Sequence, residues 1–96
     1  MLKLPEAEVH KMLAQLHGWS VKDGKLHRLF EFPDFSHAFG FMAAAATGIQ
    51  QMNHHPEWFN SYDKVTVDLM THDAGGITHK DFELAKLMEG FAKKLA

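Results

Sequence analysis

The chain has 96 residues, of which 46% are hydrophobic, and this is enough for one domain with its own core. It has no cysteine, which excludes disulfides and thiolate ligands for a metal. The net charge of −2 without a clustered basic stripe argues against nucleic-acid binding. No apolar run approaches the ~20 residues that span a membrane. We therefore expect a single cytoplasmic domain over residues 1–96.

Histidine is the unusual component of this composition. The chain contains eight histidines, and two of them are adjacent. Imidazole is the side chain whose ordinary pKa, about 6.5, lies closest to neutrality. The histidines are therefore the first candidates for chemistry.

Residues 5–32 predict a helix followed by a β-hairpin. Four apolar residues with helical spacing predict a helix over residues 5–16; they are Val9, Met12, Leu13 and Leu16. Asp23-Gly24 is typical of a two-residue turn, because glycine accepts a positive φ. It predicts a hairpin between a short strand around Val21 and a return strand over residues 25–32.

A long helix is predicted over residues 35–52, capped by Asp34 or Ser36. One face of this helix carries its apolar stripe. A second face carries small residues at every fourth position, which are Gly40, Ala44 and Gly48. These are either ordinary helix residues or the contact through which helix 35–52 forms a homo-oligomer.

The second half of the chain predicts another hairpin and a last helix. Strands are predicted over residues 57–62 and 64–71, joined at Asp63-Lys64. After a glycine loop, Thr78 and Asp81 have capping-box spacing and predict a helix over residues 79–94. The element order is therefore α-β-β-α-β-β-α. This order predicts an α+β fold in which helices cover one face of a four-stranded antiparallel sheet.

Three histidines can converge in this fold. His54 and His55 directly follow the long helix, and Pro56 forces His55 into an extended conformation. His72 ends the last strand, and a strand's start lies beside the end of its hairpin partner. The residues alone leave two interpretations open, an acid–base site and ordinary capping or surface positions.

Other chemistries have weaker support. Three histidines suggest zinc, but the chain has no H-E-x-x-H motif, and adjacent residues rarely both ligate one ion. A metal-binding protein remains an alternative, although we expect no metal. Ser36 and Ser61 lack the motif that surrounds a nucleophilic serine.

The run N-H-H-P-E-W-F-N-S-Y over residues 53–62 resembles the pterin-4a-carbinolamine dehydratases. Thr71-His72, Gly76-Ile77-Thr78 and Asp81 follow at the family's spacing. Upstream, D-F-S-H-A-F-G-F-M over residues 34–42 is similar to the start of the family's long helix. The resemblance covers nearly the whole chain.

Two positions depart from the family's pattern. Gln50 stands where the family usually has an acidic residue, and Met70 stands where it often has serine. Neither change removes a histidine. Both place the rate and the pH optimum in question more than the reaction.

The resemblance implies a hydro-lyase that dehydrates 4a-hydroxytetrahydropterins to quinonoid dihydropterin in tetrahydrobiopterin recycling, without cofactor or metal. His54 and His55 would act as acid and base near the C4a hydroxyl and N5, with the assignment between them open, and His72 would complete the catalytic set. The pterin pocket would be lined by Asn53, His54, His55, Met70, Thr71, His72 and Asp73.

The resemblance also implies alternatives. Some relatives are dimerisation cofactors of a homeodomain transcription factor, and others belong to molybdopterin metabolism. The family further implies a homotetramer. Asp81 is interpreted as a helix cap, Glu57 as a solvated strand residue, and three aromatic residues as core or strand-pairing residues, namely Trp58, Phe59 and Tyr62.

Overall fold

Three helices and four strands follow one another in the predicted order in the computed structural model, which describes residues 2–95. Met1 and Ala96, which belong to the predicted domain, lie outside the described residues. The elements are α1 (Glu6–Leu13), β1 (Ser20–Lys22), β2 (Lys25–Glu31), α2 (Phe35–Met52), β3 (Glu57–Ser61), β4 (Lys64–Leu69) and α3 (His79–Leu95). None of the helices within residues 2–95 is both long and apolar enough to cross a bilayer.

The strands form one antiparallel sheet in the order β1-β2-β4-β3. The two hairpins therefore lie side by side, with β2 paired to β4. In this register Leu26 lies opposite Leu69, and Glu57 lies opposite Asp68. The start of β3 and the end of β4 thus meet at one edge of the sheet, as predicted.

The two faces of the sheet differ in burial. Val65, Val67 and Leu69 of β4 are fully buried, whereas Thr66 and Asp68, which alternate with them, are only half-buried. Burying a valine or leucine side chain stabilises a fold by about 1.5–3 kcal/mol. The helices cover the apolar face and add their own buried residues, which include Ala38, Phe41, Ala45, Phe82, Leu84 and Met88. The predicted α+β architecture is confirmed.

The small face of α2 packs against α3 of the same chain. A Cβ atom at Gly48 would lie 2.7 Å from both methyl carbons of Leu87, and one at Gly40 would lie 3.9 Å from Leu95. Glycine at position 48 thus lets the two helices approach. Gly40 and Ala44 of the same face are half-buried, so a contact of this face with a partner subunit stays a prediction.

Several predicted boundaries shift by a few residues. α1 ends at Leu13 rather than at residue 16. The second hairpin turns at Tyr62-Asp63, with Tyr62 at φ 53°, rather than at Asp63-Lys64. β4 ends at Leu69, because Thr71 pairs with Gly76 across a short 3-10 turn instead of extending the strand.

Capping follows the sequence more closely. Asp34, rather than Ser36, caps α2, since its Oδ1 accepts the backbone N–H of His37 at 2.8 Å. Of the three aromatics, Trp58 packs on the core and Phe59 lies in β3 but is 67% exposed. Tyr62 lies in the turn and is exposed, so its placement in the core or in strand pairing is wrong.

Candidate active site

The adjacent histidines lie at the corner between α2 and β3. Asn53 ends the helix in the left-handed conformation, at φ 51°. The backbone N–H of His54 then donates to the carbonyl of Ile49 at 3.3 Å, which turns the chain inward. His54 is consequently buried, with 8% exposure, whereas His55 is exposed. Two neighbouring imidazoles thus have different environments.

Asp81 is the partner of His54. The carboxylate lies in the first turn of α3 and is completely buried. Its Oδ1 is 2.6 Å from Nε2 of His54. A buried carboxylate beside a histidine fixes the orientation of the ring and the nitrogen that carries the proton.

The second oxygen of Asp81 accepts two further hydrogen bonds. Oδ2 accepts the backbone N–H of Thr78 at 2.8 Å and the hydroxyl of Thr71 at 2.9 Å. The hydroxyl of Thr78 accepts the backbone N–H of Lys80 at 3.3 Å and lies 2.7 Å from the hydroxyl of Thr71. Because the proton of Thr71 goes to Asp81, Thr78 donates to Thr71. The predicted capping box is present, and Asp81 accepts from His54, Thr71 and Thr78.

This network determines the tautomer of His54. Since Asp81 acts as an acceptor in each contact, Nε2 of His54 carries the proton. Nδ1 has no hydrogen-bond partner among the described residues, and no buried side-chain nitrogen or oxygen among them is left without one. Nδ1 is therefore the ring nitrogen that reaches solvent, with a free lone pair when the ring is neutral.

A cleft of about 330 Å³ opens beside this network. It brings together all seven residues of the predicted pterin pocket. Its lining consists of Asn53, His54, His55, Pro56, Glu57, Met70, Thr71, His72, Asp73 and Lys80. His72 lies on the 3-10 turn at the mouth, with 74% of its side chain exposed.

The sequence interpretation missed part of this site. The capping-box spacing explains only one oxygen of Asp81, and the other oxygen contacts His54. Lys80 adds a positive charge to the cleft, and Glu57 adds a carboxylate. Lys80 directly precedes Asp81 of the capping box. Its place in the cleft could have been predicted from this position, because the first turn of α3 lies beside the histidine corner.

Another cavity of the molecule is larger than this cleft. A larger cavity of about 540 Å³ lies between the N-terminal segment and the Gly75-Gly76 loop, with His10 as its one histidine among the described residues. We place the site in the smaller cleft, because that is where titratable groups converge. Within residues 2–95 no group of three or more histidine, aspartate or glutamate side chains has the arrangement of a metal site.

Comparisons with known proteins identify the family of this chain. Residues 2–91 match the family model described as pterin 4 alpha carbinolamine dehydratase. A protein of Solibacter usitatus, provisionally named a pterin-4-alpha-carbinolamine dehydratase, is 56% identical over 94% of this chain and 95% of its own length. A similarly named protein of Rhizobium johnstonii is 47% identical over 98% of this chain and 95% of its own.

A solved structure extends the likeness to the fold. The crystal structure of a protein from Brucella melitensis, described as a transcriptional coactivator/pterin dehydratase, superposes with a TM-score of 0.90 at 46% identity. The match covers 94% of this chain and 98% of that one. Family model, relatives and fold agree, and the chain belongs to the pterin-4-alpha-carbinolamine dehydratase family.

Proposed function

We propose that this protein dehydrates a 4a-hydroxytetrahydropterin to quinonoid dihydropterin, in tetrahydrobiopterin recycling. His54, His55 and His72 supply the acid–base chemistry. The observation that carries this proposal is the buried His54–Asp81 pair, at 2.6 Å, whose histidine lines the cleft. A cleft of about 330 Å³ is within the size range of small-molecule sites.

The reaction needs one proton donor and one proton acceptor. The C4a–O bond breaks as the N5 lone pair forms a C4a=N5 double bond. The hydroxyl leaves as water after receiving a proton, and N5 loses its own proton to a base. Imidazole serves either role near neutral pH, and general acid–base catalysis contributes about 10²–10⁴-fold per group.

The hydrogen bonds of His54 favour it as the base. With Nε2–H held by Asp81, the neutral ring offers Nδ1 to the N5 proton, and Asp81 then stabilises the imidazolium that forms. His55 and His72 are exposed and line the same cleft, so they are the candidates for the acid. The remaining lining residues, Asn53, Met70, Thr71 and Asp73, surround the pterin ring in this proposal.

Stopped-flow dehydration of freshly generated 4a-hydroxytetrahydropterin tests the proposal. We expect the wild-type protein to accelerate the reaction with or without a chelator, and His54→Ala to lose most of this acceleration. A wild-type rate equal to the spontaneous rate would contradict it. Loss of activity with chelator would instead indicate a metal site.

A second function is supported by the surface of α2. Phe35 and Phe39 are 49% and 58% exposed, with ring centroids 5.8 Å apart. We propose that this aromatic face mediates self-association into a dimer or tetramer. The relative described as a transcriptional coactivator also makes binding to a protein partner a candidate role for this chain. Neither role requires the histidines, so activity and assembly can be separated by mutation.

A further inference from the structure

A second histidine–carboxylate contact lies at the mouth of the cleft. Nε2 of His72 is 3.9 Å from Oε2 of Glu57. Glu57 is the first residue of β3, and its pairing with Asp68 fixes its backbone beside the cleft. His72, by contrast, lies on a short turn with 74% of its side chain in solvent. At 51%, the side chain of Glu57 is less exposed than that of His72.

Lys25 holds the other oxygen of Glu57. From the start of β2, its Nζ reaches across β4 and donates to Oε1 of Glu57 at 2.7 Å. This hydrogen bond raises the pKa of Lys25 against a lowering by desolvation, and the charges of Glu57, Asp68 and Asp23 add to the rise. One oxygen of Glu57 thus contacts the ammonium group, which leaves the other toward His72.

We propose that Glu57, held by Lys25, is a positioning residue for His72 in the dehydration reaction, an inference that rests on the function proposed above. The carboxylate attracts the imidazole N–H and limits the rotation of a ring whose nitrogens have no other carboxylate oxygen within 4 Å among the described residues. This contact is longer than the 2.6 Å hydrogen bond between Asp81 and His54, so Glu57 acts on His72 through its charge.

The expected effect is modest, because exposed ion pairs are weak and are screened by salt. Glu57→Gln keeps the size of the side chain and an acceptor for Lys25, but removes the charge facing His72. We expect kcat to fall about three- to fivefold with little change in KM. Lys25→Met should lower kcat in the same direction by a smaller factor, since Glu57 then loses its orientation.

The matched control is Glu31→Gln. Glu31 ends β2, is exposed, and lies 3.9 Å from Nζ of Lys64, so this variant also removes one carboxylate from a strand ion pair. We expect it to leave kcat unchanged. The ring NMR signals of His72, identified with His72→Ala, should shift in Glu57→Gln and stay in place in Glu31→Gln. In a His72→Ala background, Glu57→Gln should cause no further loss of kcat.

Two results would overturn the inference. One is unchanged ring signals of His72 in Glu57→Gln. The other is an equal loss of kcat with and without His72, since Glu57 would then act by another route. If the wild-type protein fails to accelerate dehydration, the proposed function fails, and the ring signals still decide whether Glu57 orients His72.

Discussion

Asp81 is the residue on which the proposed chemistry most depends. Asp81→Asn replaces an acceptor of three hydrogen bonds by an amide that can donate to His54. A ring that accepts at Nε2 carries its proton on Nδ1, which leaves no base facing the cleft. We expect kcat to fall about 10²-fold or more, as for other catalytic groups of this kind. Stopped-flow kinetics measures the loss, and a thermal melt establishes that the variant is folded.

Asp34→Asn is the control for that experiment. Asp34 also contacts a histidine nitrogen at 2.6 Å, that of His37, but the pair lies at the start of α2 outside the cleft. It should retain the wild-type kcat. A similar fall in both variants would mean that general destabilisation, rather than the tautomer of His54, explains the effect.

Part of this residue-scale description could be predicted from the sequence. The helix–proline corner and the hairpin geometry predict that the adjacent histidines and His72 converge, whereas the pocket residues are implied by the family resemblance. The second role of Asp81 was not found, because the capping-box spacing already explained it. A carboxylate has two oxygens, and a local motif accounts for only one of them.

At the scale of the element, the stability that the Asp34 cap gives to α2 should decrease at acid pH. Hydrogen bonds from His37 lower the pKa of Asp34 below its ordinary value of 3.8. A lowered pKa in the folded state contributes stability that is fully present above pH 3.8 and is lost as the pH falls through the folded-state value. The Asn cap retains its acceptor oxygen but does not titrate.

We therefore expect the wild-type protein to be more stable than Asp34→Asn by a constant amount above about pH 5, with a difference that shrinks below pH 4. Urea unfolding between pH 3 and pH 6 measures it. A difference that stays constant over the whole range would show that the carboxylate contributes only as a neutral cap.

Packing between α2 and α3 is the second element-scale test. A methyl group at Gly48 would overlap the side-chain end of Leu87, whereas a methyl group at Gly90 of α3 would meet no atom within 4 Å. Alanine is favoured over glycine in a helix by about 1 kcal/mol. We expect Gly90→Ala to stabilise the fold by about that amount and Gly48→Leu to destabilise it by about 1–3 kcal/mol or more through overpacking.

Chemical denaturation compares these variants. Adding Leu87→Ala to Gly48→Leu should recover part of the lost stability, because it opens the space that the new side chain needs. The effects of the two substitutions on the free energy of unfolding should therefore be non-additive. Additive free energies of unfolding would mean that positions 48 and 87 do not share the contact.

The elements themselves were largely predictable, and their ends were not. Helical spacing, the Asp23-Gly24 turn and the alternation of Val65, Val67 and Leu69 are local signals, so they survive in the fold. The turn at Tyr62 was missed because tyrosine rarely adopts a positive φ. The burial of Gly48 depends on α3, more than thirty residues away in the chain. Spacing within one helix cannot reveal which helix packs against it.

At the scale of the whole molecule, the exposed aromatic face of α2 is the feature that a single chain does not explain. Phe39 is 58% exposed and contacts Phe35, which is itself half exposed. Two neighbouring exposed phenylalanines on one helix indicate an interaction site more than a solvated surface. Phe59 is also exposed, but it lies in β3. Substitutions at Phe39 and Phe59 therefore distinguish an effect of the α2 face from an effect of exposed apolar side chains in general.

We expect Phe39→Glu to shift the mass measured by light scattering toward the monomer, because a charge cannot be buried without a partner in such a contact. Phe59→Glu should leave the mass unchanged. If assembly stabilises the fold, the melting temperature of the wild-type protein will rise with protein concentration, and that of Phe39→Glu will not. An identical mass for wild type and both variants would exclude association through α2. Because neither Phe35 nor Phe39 is among the residues that line the cleft, a monomeric Phe39→Glu should still dehydrate the pterin, which would establish that assembly and catalysis are separate properties of the fold.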